Sequence, residues 1–146
     1  MDKSEPSRDL FLKILSTRMA FRQTIQRVLK RNKIEITIEM LQIMHCLWRK
    51  EGVSQQYLAE RTAKDKACLT NLINNLEKKG WVIRKEDPTD KRNRLIFLTT
   101  KGRELSLQIR PLTDELYAQL TKKMGEKQVQ STINNLTKLS NILDEI

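Results

Sequence analysis

The run Lys66-Ala67-Cys68-Leu69-Thr70-Asn71-Leu72-Ile73-Asn74-Asn75-Leu76 carries the first chemistry to stand out. Leu69, Leu72, Ile73 and Leu76 recur at helical spacing, so Lys66, Ala67, Thr70, Asn71 and Asn74 share the free face of one helix. That face is small and polar. The amides of Asn71 and Asn74 can each pair bidentately with an adenine edge, and Ala67 or the Thr70 methyl can touch a thymine methyl. A solvated face would more often use Lys, Glu or Gln, because each Asn costs roughly a few tenths of a kcal/mol against Ala in a helix. Further on, Lys91, Arg92 and Arg94 cluster among Asp87, Asp90 and Asn93, between two apolar runs. An arginine on a narrow projection suits the minor groove, whose negative potential draws a guanidinium inward.

These residues need elements to hold them. Residues 8–31 carry Leu10, Phe11, Ile14, Leu15, Phe21, Ile25, Val28 and Leu29 at spacings of three and four, which predicts a long amphipathic helix. Thr37 is an N-cap for a helix containing Met40, Leu41, Met44, Leu47 and Trp48, stopped at Gly52. Ser54 caps a short helix over 55–62, and after a three-residue turn Asp65 caps another over 66–79, ended by Gly80. Residues 81–85 and 94–98 read as strands joined by the turn residues 87–93, a hairpin with a charged tip. Thr99 or Thr100 opens a final helical region, kinked at Pro111 and broken at Gly125.

The charge distribution agrees. The 146 residues hold 28 Lys/Arg against 18 Asp/Glu, a formal balance of +10. Residues 61–103 carry twelve of the bases against five acids, and residues 1–33 carry nine against three. Two basic blocks separated by near-neutral stretches point to a polyanion-facing surface, of which nucleic acid is the usual kind. Apolar residues make up 38%, a thin core for one chain, and the apolar stripes after residue 104 call for a partner to cover them. On that reading Leu10, Ile14, Leu116, Leu120, Ile133, Leu136 and Leu143 are dimerisation residues.

Other classes fit poorly. The longest apolar run, Leu95–Leu98, is four residues, where a membrane span needs roughly 20. No signal-peptide pattern opens the chain, and the two cysteines, Cys46 and Cys68, form no disulfide framework, so a cytoplasmic setting is expected. One histidine, His45, with two separated cysteines cannot build a tetrahedral metal site, and it reads as a helix-packing residue. There is no phosphate loop and no nucleophile-with-base set, which argues against an enzyme.

Two short capped helices followed at once by a basic hairpin describe a winged helix-turn-helix. The expected fold is mostly α with a small β-wing, ordered α-α-α-α-β-β-α-α. It comprises an N-terminal dimerisation helix (1–33), a DNA-binding domain (34–103) and C-terminal dimerisation helices (104–146).

Within Ser54–Gly102 the resemblance becomes specific. Asp90-x-Arg92, then Leu98-Thr99 and Lys101-Gly102, with Leu76-Glu77-Lys78-Lys79-Gly80 and Leu58-Ala59, resembles the MarR family of bacterial transcription regulators. The order of elements resembles it over essentially the whole chain. The resemblance implies an intertwined homodimer of interlocking terminal helices that reads a pseudo-palindrome in double-stranded DNA, as a repressor released by an effector. It implies that Arg92 enters the minor groove and that Asp90 orients the wing arginines through charge-assisted bonds. Lys66, Ala67, Thr70 and Asn71 fall at base or phosphate contacts, and Ser54 and Gln55 where a helix N-terminus meets phosphate. Family members often bind small aromatic effectors; no residue here is assigned to one. Many members carry Arg where Asn71 and Asn75 stand, which shifts the expected binding weight toward the wing and flanking lysines. Two further readings remain: a non-specific architectural nucleic-acid binder, and a winged-helix protein-interaction module.

Overall fold

A computed structural model describes residues 2–146. The order is α1 (Glu5–Arg31), α2 (Ile38–Arg49), β1 (Val53–Ser54), α3 (Gln55–Thr62), α4 (Lys66–Lys78), β2 (Val82–Glu86), β3 (Arg94–Leu98), α5 (Thr100–Met124) and α6 (Glu126–Glu145). The expected architecture is present with one addition. A two-residue strand, β1, pairs antiparallel with β3 (Val53 opposite Ile96), so the hairpin becomes a three-stranded sheet in the order β1-β3-β2. Helix α1 starts at Glu5 rather than residue 8, α4 ends at Lys78 rather than 79, and β2 is shifted by one residue. Contacts divide the chain into two compact units, Met1–Ile109 and Arg110–Ile146, with the boundary one residue before Pro111 inside α5.

Cap chemistry sets the short helices. The side chains of Thr37, Ser54 and Asp65 accept the backbone N–H groups of Met40, Tyr57 and Cys68, at 3.1, 3.1 and 2.7 Å. Each satisfies a donor with no partner inside its helix, worth about 1 kcal/mol. The turn between α3 and α4 passes through Ala63 in the left-handed region (φ 53°), a conformation glycine would enter with less strain. Gly80 takes φ 78° after α4, and there Trp81 N–H donates to the Leu76 carbonyl at 3.1 Å, closing the helix end.

The core of the first unit is Ile43, Met44, Leu47, Leu58, Leu69, Ile73, Leu76, Val82, Ile96 and Ile109, all fully buried. Each large side chain contributes about 1.5–3 kcal/mol by leaving water. These residues come from α2, α3, α4, the sheet and the start of α5, so they fix the helix pair against the wing. His45 is half-buried and meets the Trp48 ring edge-on at 5.1 Å. Cys46 is half-buried, and burial pushes its thiol pKa up against the opposing pull of Arg61 and Arg49. Cys68 is exposed.

Helix α1 is tied to α2 by Arg22, whose guanidinium donates to Glu39 at 2.6 Å and holds that carboxyl below the usual carboxylate range. Both side chains are about one-third exposed, so Arg22→Met is expected to cost less than about 1 kcal/mol at neutral pH. A lowered folded pKa gives stability that is present above the ordinary Glu value, about 4.3, and lost as pH falls through the folded one. Thermal melts of wild type and variant should therefore differ at pH 7 and converge toward pH 3.

Candidate nucleic-acid interface

The three strands, α3 and α4 place most of the expected residues around one groove of about 500 Å³. It is lined by Ser54, Gln55 and Gln56 at the start of α3, Lys66 at the start of α4, and Asp90, Arg92, Asn93 and Arg94 on the wing. Of these only Asp90 is acidic, so the groove is cationic. Ala67, Asn71 and Asn74 are exposed on α4 and Thr70 is half-buried; Lys91 is exposed at the wing tip. These five do not line the groove. Gln56 and Asn93 line it and were not expected to.

Hydrogen bonds from the wing's own residues hold its tip. The N–H and hydroxyl of Thr89 donate to Asp87 Oδ1 at 2.9 and 2.7 Å, and the Asn93 amide donates to Asp87 Oδ2 at 3.4 Å. Those Thr89 bonds hold the Asp87 carboxyl below its usual range. The Asp90 carboxylate accepts the backbone N–H of Arg92 at 3.0 Å. This is a charge-assisted bond from Asp90 to a wing arginine, made at the backbone rather than at a guanidinium. Among the described residues no ion pair joins Asp90 to a wing arginine. The bond fixes the backbone from which Arg92 departs, and Arg92 itself is exposed.

Two of the expected contact residues carry structural bonds as well. Ser54 caps α3, and Gln55 bonds both Thr70 of α4 and Arg84 of β2, at 3.2 and 3.0 Å. Arg84 also pairs with Glu77. Burial, with Arg94 nearby, lowers its pKa from the usual arginine value. In the sequence Arg84 stands as one charge of the basic block and one residue of the expected strand 81–85, with no role assigned. The signal was its position: in β2 it alternates in step with buried Val82, and a charge on the inward side of a strand needs a partner.

A capped helix pair with an exposed amide-bearing helix, a cationic groove and a stiffened basic wing define a winged helix-turn-helix DNA-binding protein. A family model, MarR family, matches residues 36–93. The transcriptional regulator HosA of Escherichia coli O111:H- is 30% identical over 105 residues, covering 62% of this chain and 78% of HosA. The crystal structure of the S. aureus MepR–DNA complex matches with a TM-score of 0.77 at 26% identity, covering 91% of this chain and 96% of MepR. The transcriptional regulator BldR from Sulfolobus solfataricus has the same fold over 100% of both chains, with a TM-score of 0.81 at 23% identity. This chain belongs to the MarR family of transcriptional regulators. No helix among the described residues is long and apolar enough to cross a membrane.

Proposed function

We propose that the protein binds a pseudo-palindromic operator as a homodimer and represses by occupying it. The groove carries this reading: Lys66 at the start of α4, Arg92 and Arg94 on the wing, and the N-terminus of α3 converge on one cationic surface. Helix α4 then enters the major groove with Asn71, Asn74, Thr70 and Ala67 toward base edges. Arg92 reaches the adjacent minor groove, Lys91 and Arg94 meet phosphate, and Ser54 and Gln55 present a helix N-terminus to the backbone. Asp90 acts through the Arg92 backbone. Two recognition helices in a two-fold dimer must lie about 34 Å apart, one turn of DNA. The resemblance extends the reading to a small aromatic effector that releases DNA by changing that separation.

Selection of bound fragments from a random duplex pool tests the proposal. An enriched inverted repeat with half-site centres about 10 base pairs apart supports it. Binding without enrichment, with log K falling steeply against log salt, favours a non-specific architectural binder, and no binding at all favours a protein-interaction module.

Two substitutions separate the contacts. Arg92→Ala should weaken binding to every sequence and reduce the salt slope by about one; an unchanged slope in a salt titration removes Arg92 from the interface. Asn71→Ala should relax preference at one or two operator positions by about 1–3 kcal/mol, and uniform weakening across a mutated-operator panel would contradict base reading there.

A further inference from the structure

Gln55 and Thr70 both belong to the proposed contact surface, yet they use hydrogen bonds on each other. Gln55 Nε2 donates to Thr70 Oγ1 at 3.2 Å, and the same hydroxyl donates to the Lys66 carbonyl one turn back at 2.9 Å. Its one proton is therefore committed to its own helix, and one of its two lone pairs to α3. The other end of the Gln55 amide accepts Arg84 Nε–H at 3.0 Å, while another nitrogen of that guanidinium holds Glu77 of α4. The Arg84 side chain is only 14% exposed.

The direction of this chain follows from Arg84. A guanidinium only donates, so the oxygen of the Gln55 amide must face it and the NH₂ end must face Thr70. Thr70 can then meet Gln55 only as an acceptor, and its proton turns back to Lys66. Without Arg84 the amide is free to flip, its oxygen competes with the Lys66 carbonyl for the hydroxyl proton, and the bond that holds Thr70 of α4 against α3 loses its single direction.

We infer that Arg84 is a positioning residue for base reading: through Gln55 it fixes the Thr70 hydroxyl, so α4 offers the Thr70 methyl to a thymine methyl at one position of each half-site. This rests on the operator reading proposed above. Apolar contact with the thymine C5-methyl is the means by which a side chain lacking a free donor tells thymine from cytosine.

Position-resolved selection from a random pool tests it, using wild type, Thr70→Ser, Arg84→Met and Gln55→Met. Wild type should enrich thymine at one position per half-site, and Thr70→Ser, which lacks the methyl, should lower that enrichment about fivefold. Arg84→Met should lower it at the same position, leaving the other positions and the affinity for unselected duplex within about twofold. Gln55→Met keeps the Arg84–Glu77 pair and should lose preference at the same position relative to the other positions, whatever uniform loss follows from its place at the DNA backbone, which guards against an Arg84 variant that merely folds poorly. A general loss of stability would weaken all positions together. The inference is overturned if Arg84→Met and Gln55→Met change every position equally or none, or if Thr70→Ser keeps its thymine. Should wild type itself enrich no sequence, the operator reading falls and the relay with it.

Discussion

Gly102→Ala should lower the stability of the protein by about 3 kcal/mol or more, one of the largest effects expected of any single methyl in the chain. A Cβ at residue 102 would stand 2.1 Å from the Trp81 carbonyl oxygen and 3.0 Å from its carbonyl carbon. These are backbone atoms, and they cannot swing aside as a side chain would. The Trp81 carbonyl is itself held by Thr99 N–H at 3.0 Å, and the Thr99 hydroxyl donates to the Gly80 carbonyl at 2.6 Å while accepting Gly102 N–H at 3.0 Å. Trp48 Nε1 donates to the Gly102 carbonyl at 3.0 Å. One crossing thus joins the end of α4, the start of α5 and α2, and relieving the clash must break at least one of these bonds. For a chain of this size the cost corresponds to a fall in melting temperature of about 10 °C. Far-UV circular dichroism melts would measure it. A melting temperature within 2–3 °C of wild type, set against the same scale, would mean that α5 can move away from Trp81 without consequence.

That crossing explains why Leu98-Thr99 and Lys101-Gly102 could be found in the sequence without their reason being visible there. Residue types announce caps, so Thr37, Ser54 and Asp65 are legible in the sequence: a hydroxyl or carboxylate three residues before a free N–H acts locally. The hairpin was equally legible, from two apolar runs around turn residues. Strand β1 was not, because two residues carry no period, and Val53 is a strand residue only through its pairing with Ile96. Tertiary partners account for the other differences. The start of α1 at Glu5 precedes the apolar pattern, since the polar first turn with Pro6 is helical without contributing to any core. The motif ties Asp90 to the wing arginines, and only the fold shows that the tie runs through the Arg92 backbone N–H. The role of Arg84 depends on residues 29 and 7 positions away, Gln55 and Glu77, which no local pattern relates. Residue types thus marked most of the groove, while the bonds that orient it came only with the fold.

On the proposed homodimer, Ile133→Asp with Leu136→Asp should yield a monomer and lower affinity for the selected operator by about 100-fold or more. No residue of α6 is buried within the chain, and Ile133 and Leu136 are 50% and 42% exposed on it. Leu143 and Ile142 are exposed on the same helix, as are Leu120 on α5 and Leu10 on α1, while Ile14 and Leu116 are half-buried. Apolar residues at positions 129, 133, 136 and 143 keep one helical stripe, and a monomer in water gains nothing by presenting it. Covering the exposed half of each Leu or Ile would add about 1 kcal/mol, summed over two copies of the stripe. A carboxylate in such a seam loses that gain and must either be desolvated without a partner or hold the helices apart. Each winged domain alone could still reach one half-site, but the second half-site would no longer bind as an intramolecular event, and the avidity of joined sites, commonly 10²–10⁴, would be lost. Sedimentation equilibrium gives the mass, and a fluorescence titration on the selected operator gives the affinity. Helical content should stay near wild type, because the substituted positions support no core within the chain. A double variant that remains dimeric would move the seam elsewhere. One that becomes monomeric yet holds the full inverted repeat as tightly as wild type would show that DNA reading does not depend on pairing, and the two-fold operator would have to be abandoned.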